Sequence, residues 1–67
     1  MIRIILNGEE RPFTTGQTVA DLLREVGLAS LPCAVEVNGE VVPKRSHPEQ
    51  TLAEGDRIEL VTLVGGG

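Results

Sequence analysis

The sequence predicts an α+β fold: a mixed sheet of four to five strands with one helix packed across it. Three observations carry that prediction. Two apolar, β-branched segments, residues 2–6 and 57–64, stand at opposite ends of the chain. Two Asn-Gly dipeptides, Asn7-Gly8 and Asn38-Gly39, each follow a strand-like run. Between the two hairpins that they imply lies a single helical stripe. At 67 residues the chain has room for one domain.

Each element has its own reason. In 2–6 only Arg3 interrupts the apolar run, so a strand buried on at least one face is expected. Asn-Gly is the strongest short hairpin signal because both residues tolerate positive φ. The return strand is expected over 11–15, with Phe13 inward, and Pro12 assigns it to an edge because proline cannot donate to a ladder. Thr18 is an N-cap and Asp21, three residues on, completes a capping-box-like pair. Val19, Leu22, Leu23 and Val26 then fall at i, i+3, i+4 and i+7. Gly27 stands where a helix-ending glycine belongs. Leu28 and Leu31 in the following connection are two further core candidates. Residues 33–37 read as a third strand, 40–42 as a short return strand stopped by Pro43, and 44–50 as a polar surface loop. A single turn over 51–54 would precede the last strand, 57–64.

The helix has one apolar stripe and must bury it on a sheet face. The first and last strands are the most apolar, which places them as parallel central neighbours. This arrangement is the β-grasp. The expected core is Ile4, Leu6, Phe13, Val19, Leu22, Leu23, Val26, Leu28, Val35, Val37, Ile58 and Leu60.

Composition excludes several functions. A domain this short buries only ~60% of its unfolded surface, so a self-contained catalytic cleft would consume most of the body. Six Lys and Arg against ten Asp and Glu give a net charge of −4. No basic stripe is available for nucleic acid, and a single Phe, with no Trp or Tyr, supplies no stacking platform. No apolar run approaches the ~18 residues of a membrane span, and the N-terminus lacks a signal-type apolar region and cleavage site. One cysteine forms no internal disulfide, in keeping with a reducing compartment, and a cytoplasmic location is expected.

The side chains offer little chemistry. Cys33 and the only histidine, His47, are fourteen residues apart, with no second ligand at metal spacing. Cys33, at the start of an apolar strand, reads as a small buried hydrophobe. His47, beside Pro48, reads as a solvated loop residue. The remaining chemical group is the C-terminal carboxylate of Gly67. Gly65, Gly66 and Gly67 abut the last strand without a linker. Three glycines gain nothing by packing, but as a flexible tail they can extend ~10 Å and thread a channel that any side chain would block. Residues 1–64 would then be the folded domain and 65–67 the tail. With Ile58 and Leu60 facing the core, Val61 and Leu63 point the other way and form a candidate docking stripe for a partner.

These residues resemble a family. The opening through Leu6-Asn7-Gly8, the helix start Thr18-Val19-Ala20-Asp21-Leu22-Leu23, the hairpin Val35-Glu36-Val37-Asn38-Gly39-Glu40-Val41-Val42-Pro43, the turn Leu52-Ala53-Glu54-Gly55-Asp56 and the ending from Glu59 to Gly67 are similar to the ubiquitin-like sulfur carriers, most closely the ThiS family of thiamine biosynthesis. The resemblance covers nearly the whole chain. It implies a non-catalytic carrier, a monomer when free, with no cofactor or metal of its own. An E1-like adenylyltransferase, using ATP and Mg, would activate the Gly67 carboxylate as an acyl-adenylate. A persulfide fed by a cysteine desulfurase would replace AMP, leaving a thiocarboxylate. Thiazole synthase would bind the tail, Gly65 and Gly66 included, and take the sulfur for the thiazole ring. Two other readings fit the same residues. One is a carrier for molybdopterin synthesis or tRNA thiolation. The other is a plain β-grasp interaction module with an incidental glycine tail.

Overall fold

The computed structural model describes residues 1–63. Its elements are β1 (Ile2–Leu6), β2 (Glu9–Phe13), α1 (Val19–Glu25), β3 (Cys33–Val37), β4 (Glu40–Val41), a 3₁₀ turn (Lys44–Ser46) and β5 (Arg57–Thr62). They form one five-stranded mixed sheet in the order β2-β1-β5-β3-β4. The first and last strands are parallel neighbours, with Ile5 opposite Arg57 and Leu6 opposite Ile58. All other pairs are antiparallel.

Both hairpins close through two-residue turns. Asn7 and Gly8 have φ of 49° and 87°, and Asn38 and Gly39 have 53° and 85°. Positive φ at both positions is the geometry whose twist matches that of the flanking strands. So tight a turn leaves no spare residues. β2 therefore starts at Glu9, opposite Leu6, rather than at Arg11. Pro12 lies on an edge strand, as its missing N–H requires.

The helix is built at both ends by short-range chemistry. The Thr18 side chain accepts from Asp21 N, while the Asp21 carboxylate accepts from Thr18 N at 2.9 Å. At the other end Gly27 N donates to Arg24 O and Leu28 N to Leu23 O, the paired pattern of a Schellman cap, with Gly27 at φ 81°. Seven residues would not hold a helix in water. Three buried side chains, Val19, Leu22 and Leu23, each contribute about 1.5–3 kcal/mol of burial and anchor it on the sheet. Facing them are Ile4, Phe13, Val35, Val37, Ile58 and Leu60. Leu6, Val26 and Leu28 pack against this core while remaining partly exposed.

The segment after β4 departs from the sequence expectation. Lys44–Ser46 is a 3₁₀ turn, residues 51–54 form no helical turn, and Val42 and Leu52 belong to the core. His47 is only 6% exposed, not solvated. Its Nε2 lies 3.1 Å from Val42 O, and a carbonyl can only accept, so Nε2 carries the proton. The same segment completes the helix N-terminus. Val19 N donates to Gln50 O and Ala20 N to His47 O, satisfying two N–H groups that have no partner within the helix. Leu31 is 40% exposed rather than core, with Leu28 taking the inward place in the connection.

Asp21 accepts from the Thr18 backbone N–H, from the Thr18 hydroxyl and from Arg24. The Thr18 backbone bond is the foremost cause holding its carboxyl below the usual carboxylate range; partial desolvation opposes it, and the Thr18 hydroxyl and Arg24 add to the lowering. A depressed folded value means stability that is present above the unfolded value of ~3.9 and is lost as pH falls through the folded one. Thr18→Ala is expected to cost about 1 kcal/mol in denaturant unfolding at neutral pH. Asp21→Ala is expected to lower the unfolding midpoint at pH 7, with the gap from the native sequence closing as the pH is taken well below about 4.

Candidate functional site at the end of the last strand

The candidate site is the end of β5 and the sheet surface that leads to it. β5 alternates strictly. Ile58 and Leu60 are buried under the helix, while Glu59 and Val61 point to the uncovered face. Val61 is 56% exposed and Leu63 is 60% exposed, so both members of the expected docking stripe are at the surface. Leu63 N donates to Pro32 O at 2.9 Å, which ties the chain to the start of β3 just beyond the strand. Gly65, Gly66 and Gly67 lie outside the described residues, as does Val64.

Register shows what surrounds Val61. Ala34 stands directly opposite it, Glu36 opposite Glu59, and Val41 of the outer strand opposite Glu36. All of these are exposed, Val41 at 71%. The open face thus holds an apolar pair near the tail, then two glutamates facing each other, then an apolar edge residue. Like charges directly opposite in an antiparallel pair destabilise it. Val61 was expected on this face, but the acidic pair and its neighbours Ala34 and Val41 were not anticipated from the sequence, because cross-strand register is not visible in a single strand's alternation.

The helix side carries a different concavity, a cleft of about 220 Å³ lined by residues including Leu23, Leu31, Pro32, Cys33, Lys44 and His47. It is below the ~300 Å³ at which ligand pockets begin. Cys33 is half-buried against the core rather than fully buried, and lines this cleft. Its Sγ has only a distant 3.9 Å approach to Ala34 O. Among the described residues, no group of three His, Cys, Asp or Glu is placed to hold a metal. No described helix is long and apolar enough to cross a membrane.

With this geometry in view, comparison with known proteins is decisive. A match to the ThiS family spans residues 4–67, from the first buried strand residue through the terminal glycine. The chain belongs to the ThiS family. Its fold agrees with that membership: the crystal structure of a thiamine biosynthesis protein, ThiS, from Geobacter metallireducens superposes with a TM-score of 0.80 at 28% identity, covering 98% of this chain and 100% of that one. The sulfur carrier protein ThiS of Thermus thermophilus is 39% identical over 62 residues, 92% of this chain and 95% of that protein. A thiazole synthase of Paramagnetospirillum magneticum is 44% identical over 66 residues. There the match takes in 98% of this chain but 20% of the relative, so this ThiS-family chain spans about a fifth of that protein's length.

The open face yields a stability test. Glu59→Lys converts the Glu36–Glu59 like-charge pair into an opposite-charge pair. It is expected to raise stability by about 0.2–1 kcal/mol at low salt, read as a shift of the denaturant midpoint, with the gain shrinking at high salt.

Proposed function

We propose that this chain is a sulfur carrier of thiamine biosynthesis and that its working group is the Gly67 carboxylate. The observation that carries the reading is a family match that runs to the last residue, on a fold whose final strand emerges beside exposed apolar side chains. A carboxylate is anionic and would have to expel oxide, so it is a poor electrophile until activated. An adenylyltransferase supplies that activation: the Gly67 carboxylate attacks ATP, pyrophosphate leaves, and an acyl-adenylate forms. The terminal sulfur of a persulfide, charged by a cysteine desulfurase, then displaces AMP. Reductive cleavage of the resulting acyl persulfide by a thiol leaves the thiocarboxylate. That soft nucleophile is ionised at neutral pH and passes its sulfur to the thiazole ring.

The division of labour follows from size. The carrier brings a tethered reactant, and the partners bring nucleotide binding, acid–base groups and orientation. Thiazole synthase as the sulfur acceptor is supported by a protein of that name containing a stretch 44% identical to this chain. A single polypeptide holds its two parts at high effective concentration, which suits a donor and acceptor that act in succession. The open face of the sheet is the docking surface, with Val61 and Leu63 nearest the tail and the Glu36–Glu59 pair suited to a basic partner surface.

Incubation with the cognate adenylyltransferase, ATP, Mg and a charged cysteine desulfurase should give an intact-mass gain of one oxygen replaced by sulfur at the C-terminus. Gly66→Val should fold normally yet gain no sulfur, because a Cβ cannot pass a channel shaped for glycine. No gain in the native sequence with active partners would leave the plain interaction module; sulfur loading without transfer to thiazole synthase would leave a carrier for another pathway. Separately, Leu63→Asp should weaken adenylyltransferase binding by calorimetry while moving stability by no more than about 0.5 kcal/mol, as expected of an exposed site.

A further inference from the structure

We propose that the Asn7 carboxamide is a positioning group for the C-terminal tail, extending β1 by one rung to hold the end of β5. The backbone of β1 runs out before β5 does. The last main-chain bond between them is Asn7 N donating to Ile58 O at 2.8 Å, after which the chain turns away at Gly8. Leu60, two residues further along β5, still presents its N–H and C=O to that side, because alternate residues of a strand face alternate neighbours. No strand of the sheet is there to meet them. The Asn7 side chain does so: Leu60 N donates to Oδ1 at 2.8 Å and Nδ2 donates to Leu60 O at 3.2 Å. A carboxamide has the donor and acceptor of a peptide group, so this is a ladder rung made by a side chain.

Beyond Leu60, β5 is held by β3 alone, through the pairs Ala34–Val61 and Cys33–Thr62 and the bond from Leu63 N to Pro32 O. The Asn7 rung is thus the final two-sided constraint before the chain reaches Val61, Leu63 and the tail. Only asparagine meets both demands at this position. The turn needs φ of 49°, which it tolerates, and the Leu60 carbonyl needs a donor, which aspartate at neutral pH lacks. The second turn provides an internal control. Asn38 has the same backbone geometry, but its carboxamide bonds Arg57 N and the Asp56 carboxylate at the start of β5, the opposite end of the strand from Thr62.

The kinetic consequence rests on the sulfur-carrier reading; the structural one does not. Asn7→Gly keeps the positive φ and removes the carboxamide; Asn38→Gly does the same at the other turn. Native-state amide exchange should show Leu60 N–H exchanging about tenfold faster or more in Asn7→Gly, with increased motion at the Leu63 amide, and neither change in Asn38→Gly. Asn7→Asp retains the acceptor for Leu60 N–H and should keep that amide protected. In adenylyltransferase-driven sulfur loading, Asn7→Gly should raise KM for the carrier several-fold with kcat little changed, while Asn38→Gly leaves both. Native protection of Leu60 in Asn7→Gly, or equal changes in the two glycine variants, would overturn the assignment. If the native sequence takes no sulfur, the carrier reading falls, and the Leu60 and Leu63 amides decide the role of Asn7 by themselves.

Discussion

Val19, Leu22 and Leu23 bury against one face of the sheet, and nearly every other feature depends on that contact. A seven-residue helix cannot persist alone, and the sheet cannot leave Ile4, Phe13, Val35, Ile58 and Leu60 in water. Each solves the other's problem. Among the described residues the helix and the segment after β4 cover one face of the sheet, and the opposite face stays open. The surface that carries Val61, Ala34, Glu36 and Glu59 is therefore a by-product of how the core is closed. The same closure explains the segment after β4. It supplies carbonyls to the helix N-terminus and a buried histidine to the Val42 carbonyl, so the helix is seated by main chain as well as by apolar packing.

Centrality of β5 turns this core into a presenting device. A strand gripped on both sides has a fixed course. Its parallel pairing with β1 through Ile58 and its antiparallel pairing with β3 as far as Thr62 set that course. An edge strand would fray at its end and carry any attached group with it. On the proposed function, placing the reacting terminus after the central strand gives an anchored origin to a segment whose last three residues carry no side chain. The Glu36–Glu59 pair belongs to the same logic. It sits in the sheet at a cost in stability, which the proposed docking on a basic partner surface would offset.

Much of this was legible in the sequence because its signals are local. The Asn-Gly turns, the Thr18–Asp21 cap, the Gly27 stop and the period-four stripe each act within a few residues, and each appears in the structure where its chemistry puts it. The alternation along β5 separated Ile58 and Leu60 from Val61 correctly for the same reason. What sequence reasoning missed is long-range. Nothing within 44–52 announces that His47 and Leu52 are buried, since their partners, Val42 and the core, are set by how the chain folds back. Leu31 looked like core because it is leucine, but the connection had room for one inward residue and Leu28 took it. The Glu36–Glu59 pair needed two strands in register before it existed at all. The ThiS-family assignment drew on the terminal glycines, whose placement lies outside the described residues, so the site's last residues were read by resemblance and its base by geometry.

A carrier of this kind faces two opposed requirements, and the chain separates them along its length. Under the function proposed above, the terminal residues pass through a partner's channel, which forbids side chains and so forbids packing. The body must be recognised, which requires side chains held in fixed relation. Five glycines of the folded part sit at positive φ, where they make turns and end the helix. The three at the terminus carry no side chain. One residue type therefore serves chain reversal at the five folded positions and the absence of side chains at residues 65–67, and β5 loses its second neighbour before them, after Leu60. At that point a single carboxamide bonded to Leu60 substitutes for a missing strand. On the proposed function the body needs no catalytic group of its own, because the reacting atom would be one that the fold delivers rather than surrounds.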